Sequence, residues 1–320
     1  MAPTVSVREA YGKALAELGR QNPDIVVLDA DLCRSTMTHF FASEFPERTF
    51  DCGIAEQNMV GIAAGLAASG KIPFASTFAV FIPGRCFDQV RMSIAQPRLN
   101  VKLVTTHSGI SVGEDGTSHQ SIEDLALACA LPGLTVVIPA DAIETAQAVR
   151  VAAATEGPFY IRLCRSNLPL VHDEGYRFEM GKATVMRQGT RASIIAIGTM
   201  VATALEAAEN LSREGIDCRV LNMSTLKPLD EAATIEAAEE TGAIVTAEEH
   251  LEHGGLGSAV ARLLSQHHPV PMEFVAMKDT YAESGPAAEL LKKYGLTAAD
   301  VERSVRSVIA RKGLSRPATG

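Results

Sequence analysis

The chain has no Cys-x-x-Cys pair, and none of its six cysteines (Cys33, Cys52, Cys86, Cys129, Cys164, Cys218) stands at a metal-ligand spacing. That pattern fits reduced thiols in a cytoplasmic setting. Positive charge is in short supply: 29 Lys and Arg face 38 Asp and Glu, a net charge of -9. Nucleic acid is therefore disfavoured as a partner, because phosphate backbones are gripped by clustered cations. A few local cations still suffice for a small anionic substrate. No apolar run reaches membrane length. The most apolar stretch, 61–84, is broken by Lys71, Pro73, Pro83 and several glycines and serines, which excludes a spanning helix. Met1 to Arg8 lacks the apolar core of a signal peptide. There is no short tandem repeat and no low-complexity tract. What remains is 320 residues with 47% hydrophobic and 21% charged content, a globular composition long enough for two domains and two cores.

Short β-rich runs alternate with helical patterns. Residues 25–28, 73–76, 101–104, 135–138 and 159–162 read as strands, and 7–18, 58–68, 87–95 and 142–154 as helices. From 167 to 189 the alternation lapses among Pro169, Asp173-Glu174-Gly175 and Gly181, which reads as a domain connection. A second unit follows, with strands at 192–197, 218–222, 243–247 and 272–276 and helices at 202–214, 229–240, 256–266, 287–294 and 298–310. The prediction is an α/β fold of two consecutive domains, 1–166 and 190–313, each a mostly parallel sheet flanked by helices. The tail, 314–320, is expected to be mobile. In such sheets ligands sit at the carboxyl ends of the strands. His253-Gly254-Gly255-Leu256-Gly257-Ser258 lacks the full dinucleotide fingerprint and reads as a tight turn, which leaves a nicotinamide-binding oxidoreductase the weakest alternative.

Two local patterns carry chemistry. Gly53-Ile54-Ala55-Glu56-Gln57-Asn58-Met59 sets one carboxylate at the start of a small-residue helical stretch with no other charge until Lys71. Such an acid is either a helix-capping Glu or a buried carboxyl suited to sharing a proton. The second pattern is a Gly-rich loop with two histidines twelve residues apart, His107 and His119, and Asp115 between them. Their spacing does not match the short zinc pattern, so no metal site is assigned.

Taken in order, Gly53–Met59, Ser76-Thr77-Phe78-Ala79-Val80-Phe81, Thr106-His107-Ser108-Gly109 and Gly113-Glu114-Asp115-Gly116-Thr117-Ser118-His119-Gln120 resemble the transketolase family over nearly the whole chain. More narrowly, the chain looks like the C-terminal subunit of a split transketolase, with the pyrimidine-binding and C-terminal domains. The resemblance implies thiamine diphosphate as cofactor, with the protein supplying orientation and electrostatics. Glu56 would hydrogen-bond N1′ of the aminopyrimidine and favour the imino tautomer that takes the thiazolium proton. Phe78 and Phe81 match positions that flank the pyrimidine ring, and Asp31 is a further cofactor position. His107, Asp115 and His119 would line the sugar channel, with His119 orienting the ketose and taking part in proton transfer. Arg8, Ser35, His107 and Arg165 match positions that bind the sugar's terminal phosphate; a sulfonate could use the same donors.

The sequence departs from the family pattern at Ser108, where members acting on common sugar phosphates often carry Asp; a lost carboxylate shifts stereochemical preference at one carbon. Gly-Asp-Gly, which holds Mg²⁺ and the diphosphate in the family, is absent. The resemblance then implies a second polypeptide bringing the Mg²⁺ site, in an assembly with two copies of each chain, joined through a large apolar interface to which helix 60–68 is a candidate contributor. Alternatives are the beta subunit of a 2-oxoacid dehydrogenase, deoxyxylulose phosphate synthase, and a non-catalytic scaffold or regulatory partner.

Overall fold

The protein is seen in a computed structural model that describes residues 4–314. Its strands in chain order are β1 (Thr4–Ser6), β2 (Ile25–Asp29), β3 (Thr49–Asp51), β4 (Ile72–Phe78), β5 (Lys102–Thr106), β6 (Thr135–Val137), β7 (Phe159–Arg162), β8 (Asn167–Pro169), β9 (Thr184–Arg187), β10 (Ala192–Ala196), β11 (Cys218–Asn222), β12 (Thr225–Lys227), β13 (Ile244–Leu251) and β14 (Met272–Met277). They form a seven-stranded sheet in the order β12-β6-β7-β5-β4-β2-β3, a five-stranded sheet in the order β14-β13-β10-β11-β9, and the small pair β1-β8. Within the two large sheets every pairing is parallel except β12 with β6 and β9 with β11. Every residue of β2, β5, β7, β10 and β11 is buried, as expected of strands covered by helices on both faces. This is the α/β architecture the alternation predicts.

The helices that frame the site begin as their sequences dictate. Helix Val7–Gln21 is capped by Ser6, whose side chain accepts from the Glu9 N–H at 3.2 Å. Gly12 lets this helix sit directly on the turn at Met37, where a Cβ would lie 2.3 Å from the Met37 carbonyl oxygen. Helix Glu56–Ala68 starts at Glu56 itself, two residues earlier than the apolar periodicity indicates. The stretch expected as one helix at 87–95 is an α-helical turn, Phe87–Gln89, followed by a wider π-helical segment, Val90–Ala95. The Gln96 N–H reaches back five residues to Arg91, the π register that periodicity analysis at 3.6 residues per turn cannot register.

Two findings modify the expected organisation. The stretch read as a connection, 167–189, holds strands: β8 pairs antiparallel with β1, and β9 with β11. Each is three or four residues long, too short to show a period. In addition β12, from the second half of the chain, closes the edge of the first sheet against β6, with Thr225 opposite Val137. The domains are further joined by buried Arg162 on β7, which donates to Asp124 at 2.7 Å and to the Glu249 carbonyl at 3.0 Å. The expected mobile tail falls, from residue 315 on, outside the described residues.

Candidate active site

The candidate residues follow the carboxyl ends of β2 (Asp31, Ser35), β3 (Glu56), β4 (Phe78, Phe81), β5 (His107, Asp115, His119) and β7 (Arg165), with Arg8 in the first turn of the helix Val7–Gln21. Glu56, 2% exposed, borders an open cavity of ≈ 440 Å³ together with Ile54, Ala55, Gln57, Asn58 and Arg85. Its Oε2 accepts from Arg85 Nη1 at 3.1 Å. The same guanidinium lies 4.1 Å over the Phe81 ring. Phe81 and Phe78 are nearly parallel, 5.9 Å apart and 12° between planes. They flank one another and leave no room for a third ring between them, so they form one aromatic wall rather than two jaws. His107 stacks on Phe78 at 3.8 Å, and His119 meets Phe81 edge-on at 5.6 Å and Phe78 at 6.1 Å.

The His107 backbone is left-handed, with φ 58°, which turns the ring onto Phe78 just after β5 ends. Burial pushes its pKa down to about 3, helped by the charges of Arg8, Arg165 and His119. The ring is therefore neutral near pH 7, and its Nδ1 shares a 2.8 Å hydrogen bond with Thr106 Oγ1.

The charges of Arg8 and Arg165 both act on that ring. Arg8 projects from the first turn of its helix and donates from Nη1 to the Ser35 carbonyl at 2.8 Å. Its Nε is buried and has no hydrogen-bond partner among the described residues, an orphaned donor of the kind an anion satisfies. The short helix Cys33–Thr36 that presents Ser35 is anchored by Asp29, 1% exposed, which accepts from Thr36 Oγ1 at 2.7 Å, Thr38 Oγ1 at 3.0 Å and the Leu32 N–H at 2.5 Å. Arg165 donates to the Val112 carbonyl at 2.5 Å and lies 3.7 Å from Glu114 and 3.9 Å from Asp115.

The structure thus gathers Phe78, Phe81, His107 and His119 into one group. Glu56 joins it through Arg85, and Arg8 with Ser35 and Arg165 with Asp115 join it through the charges around His107. Asp31 stands apart at the end of β2, exposed and left-handed (φ 61°), its N–H held by Asp51 at 3.1 Å. Sequence reasoning missed Arg85, whose only signal is its position four residues after Phe81, and Glu114, which it took as part of a motif and gave no role.

A family model described as the transketolase pyrimidine binding domain matches residues 3–171, and one described as the transketolase C-terminal domain matches residues 181–301. Among curated relatives, the 6-deoxy-6-sulfo-D-fructose transketolase subunit SqwH of Clostridium sp. (strain MSTE9) is 42% identical over 306 residues, covering 96% of this chain and 95% of that protein. Transketolase-like protein 2 of Mus musculus is 40% identical over 311 residues, 96% of this chain but 49% of that one. A solved structure titled "Split gene transketolase, inactive beta4 tetramer" superposes with a TM-score of 0.90 at 55% identity, covering 96% of this chain and 99% of that chain. Motif order, site geometry and these matches agree: the chain belongs to the transketolase family, of which it carries the pyrimidine-binding and C-terminal domains.

Proposed function

We propose that this chain is the pyrimidine-side subunit of a thiamine diphosphate-dependent transketolase that moves a two-carbon ketol unit from an anionic ketose to an aldose phosphate. The observation that carries the reading is Glu56, a buried carboxylate at a helix start beside an aromatic wall and an open cavity. Those residues fit the cofactor's aminopyrimidine: Glu56 would hold a proton at the ring nitrogen, and Phe81 with Phe78 would bury the ring face. When bound, the cofactor supplies the electron sink for carbon–carbon cleavage. Arg85 keeps the buried carboxylate compensated. His119 would hold or pass a proton at a sugar hydroxyl, and Asp115 would accept from another. Arg8, Ser35, neutral His107 and Arg165 receive the anionic tail. Asp31 is proposed as a more peripheral cofactor contact.

The partner belongs to the same proposal. Gly-Asp-Gly is absent, and the split-gene neighbour, 99% covered by this chain, is titled an inactive beta4 tetramer. A second polypeptide would then supply the Mg²⁺ and diphosphate ligands, two copies of each chain forming the enzyme. Exposed Ile54, Ile62 and Met92, beside the bare Gly61 and Gly65 of helix Glu56–Ala68, give an apolar surface next to Glu56 for that assembly. A phosphate or a sulfonate tail suits the two arginines; the likeness to a subunit named for a sulfonated sugar supports keeping both. All six cysteines are free, consistent with a reducing, cytoplasmic setting.

The test is ketol transfer from xylulose 5-phosphate to an aldose phosphate, with thiamine diphosphate and Mg²⁺, by the chain alone and with a companion chain carrying Gly-Asp-Gly. Turnover is expected only from the pair. Turnover by the chain alone refutes the shared site, and a cofactor-loaded complex inert toward every sugar tested points to the 2-oxoacid dehydrogenase reading.

A further inference from the structure

Glu249 lies on β13, in the second domain, and belongs to none of the groups above. It is 2% exposed, yet it reaches across the domain boundary. Its Oε1 accepts from the Ser111 N–H at 2.6 Å, and its Oε2 accepts from Ser111 Oγ at 3.2 Å and Thr199 Oγ1 at 3.0 Å. The Glu249 side chain also lies directly over the open side of Gly109. A Cβ at that left-handed residue (φ 74°) would lie 2.2 Å from Oε1, so only glycine admits the contact.

Gly109 and Ser111 begin the loop that follows His107 and carries Asp115 and His119. The loop closes on itself where the Gly109 N–H donates to the Ser121 carbonyl at 2.8 Å. A cleft of ≈ 610 Å³, lined by Ser111, Thr199, Leu205 and Glu249 among others, opens beside Ser111 between the domains, while Ile110, its neighbour in the chain, packs into the apolar core of the second domain. Glu249 adds to that packing the hydrogen bonds that fix the Ser111 backbone and hydroxyl.

We propose that Glu249 is a positioning residue for ketol transfer, fixing the loop through Ser111 so that His107, Asp115 and His119 keep their places around the sugar. The inference rests on the function proposed above. It assigns to the second domain a part in the chemistry that its distance from the cofactor motifs conceals. A displacement of about 1 Å in such groups is enough to cost about 10²-fold in rate.

Two substitutions separate this from a packing role. Gln keeps the shape, its Oε1 accepting from the Ser111 N–H while its amide nitrogen donates to hydroxyls that turn to accept. Leu keeps the bulk and removes every hydrogen bond. Hydrogen–deuterium exchange of the chain should show amides 109–121 exchanging at least about tenfold faster in Glu249→Leu than in wild type, with Glu249→Gln close to wild type and helix Glu56–Ala68 unchanged. In the assembled enzyme Glu249→Leu should raise the KM for xylulose 5-phosphate about tenfold while the Kd for thiamine diphosphate stays within about twofold. Wild-type exchange in Glu249→Leu, or equal weakening of sugar and cofactor, overturns the proposal. Should Glu249→Leu fail to fold, the Ser111→Ala, Thr199→Val pair removes the two hydroxyl bonds alone, and unaltered loop exchange there has the same force. Absence of turnover in the wild-type assembly would count against the enzymatic reading, while the exchange comparison would still decide whether Glu249 holds the loop.

Discussion

Replacing Glu114 by Gln should improve the enzyme's grip on an anionic sugar. Glu114 Oε2 lies 3.7 Å from Arg165 Nη1, so the cation that would meet the tail already has a carboxylate beside it. Both side chains are open to solvent, 41% exposed for Arg165 and 72% for Glu114. Unscreened Coulomb attraction at that distance in water is about 1 kcal/mol, and exposed pairs contribute about 0.2–1 kcal/mol when measured. An incoming anion must displace or share that interaction. Its removal should tighten binding by the same amount, a fall in KM of about 1.4- to 5-fold. Asp115, 3.9 Å from the same nitrogen, keeps the gain from being larger. The assay is steady-state ketol transfer by the assembled enzyme with xylulose 5-phosphate and, in parallel, unphosphorylated xylulose. KM should fall only for the phosphorylated sugar, and the gain should shrink as salt screens the cation. A rise in KM, or the same change with both sugars, refutes the reasoning.

Glu56→Gln keeps the shape of the buried side chain and removes its acidity, so turnover should fall by at least about 10²-fold, the range of lost acid–base assistance, with assembly by size-exclusion chromatography unchanged; near-normal turnover rules out the proton-holding role. Arg162→Met leaves the fully buried Asp124 carboxylate without its ion-pair partner and should destabilise the chain by about 3–5 kcal/mol in urea unfolding, an unchanged midpoint being the contrary result. The pH dependence of stability should carry the mark of His172. Burial opposes its protonation, but the bond to Asp141 and the Glu144 charge outweigh burial and raise its pKa. A raised pKa contributes stability that is complete below the unfolded value and lost as pH rises through the folded one. The difference in unfolding free energy between wild type and His172→Gln should therefore be larger at pH 5.5 than at pH 9, and an equal difference at both would contradict it.

Much of this was legible in the sequence because the central strands are continuous apolar runs and the helices between them carry their own periodicity and caps. Strands 218–222 and 159–162 and helix 142–154 fall at their expected bounds. What escaped was short or relational. β1, β8, β9 and β12 hold three or four residues each, and nothing in Thr225–Lys227 announces which sheet will take it. The motif residues of the site were legible because they recur in a family pattern, not because periodicity marks them. Arg85 and Glu249 acquire meaning only through what they touch, one the carboxylate of Glu56, the other a glycine 140 positions earlier. Stacking of Phe78 on Phe81 rather than around a guest is likewise a matter of side-chain geometry.

The edge strand β12 bears on how such chains can be recombined. Residues 225–227 leave the second half, complete the sheet of the first, and return. A chimera joined in the 167–189 connection would not exchange a self-contained module, because the donor's C-terminal half must also offer a strand that fits the recipient's β6 edge. The seam along which the two halves have to stay matched is that edge, and a graft that moves Thr225–Lys227 together with the first sheet respects it where a cut between the family domains does not.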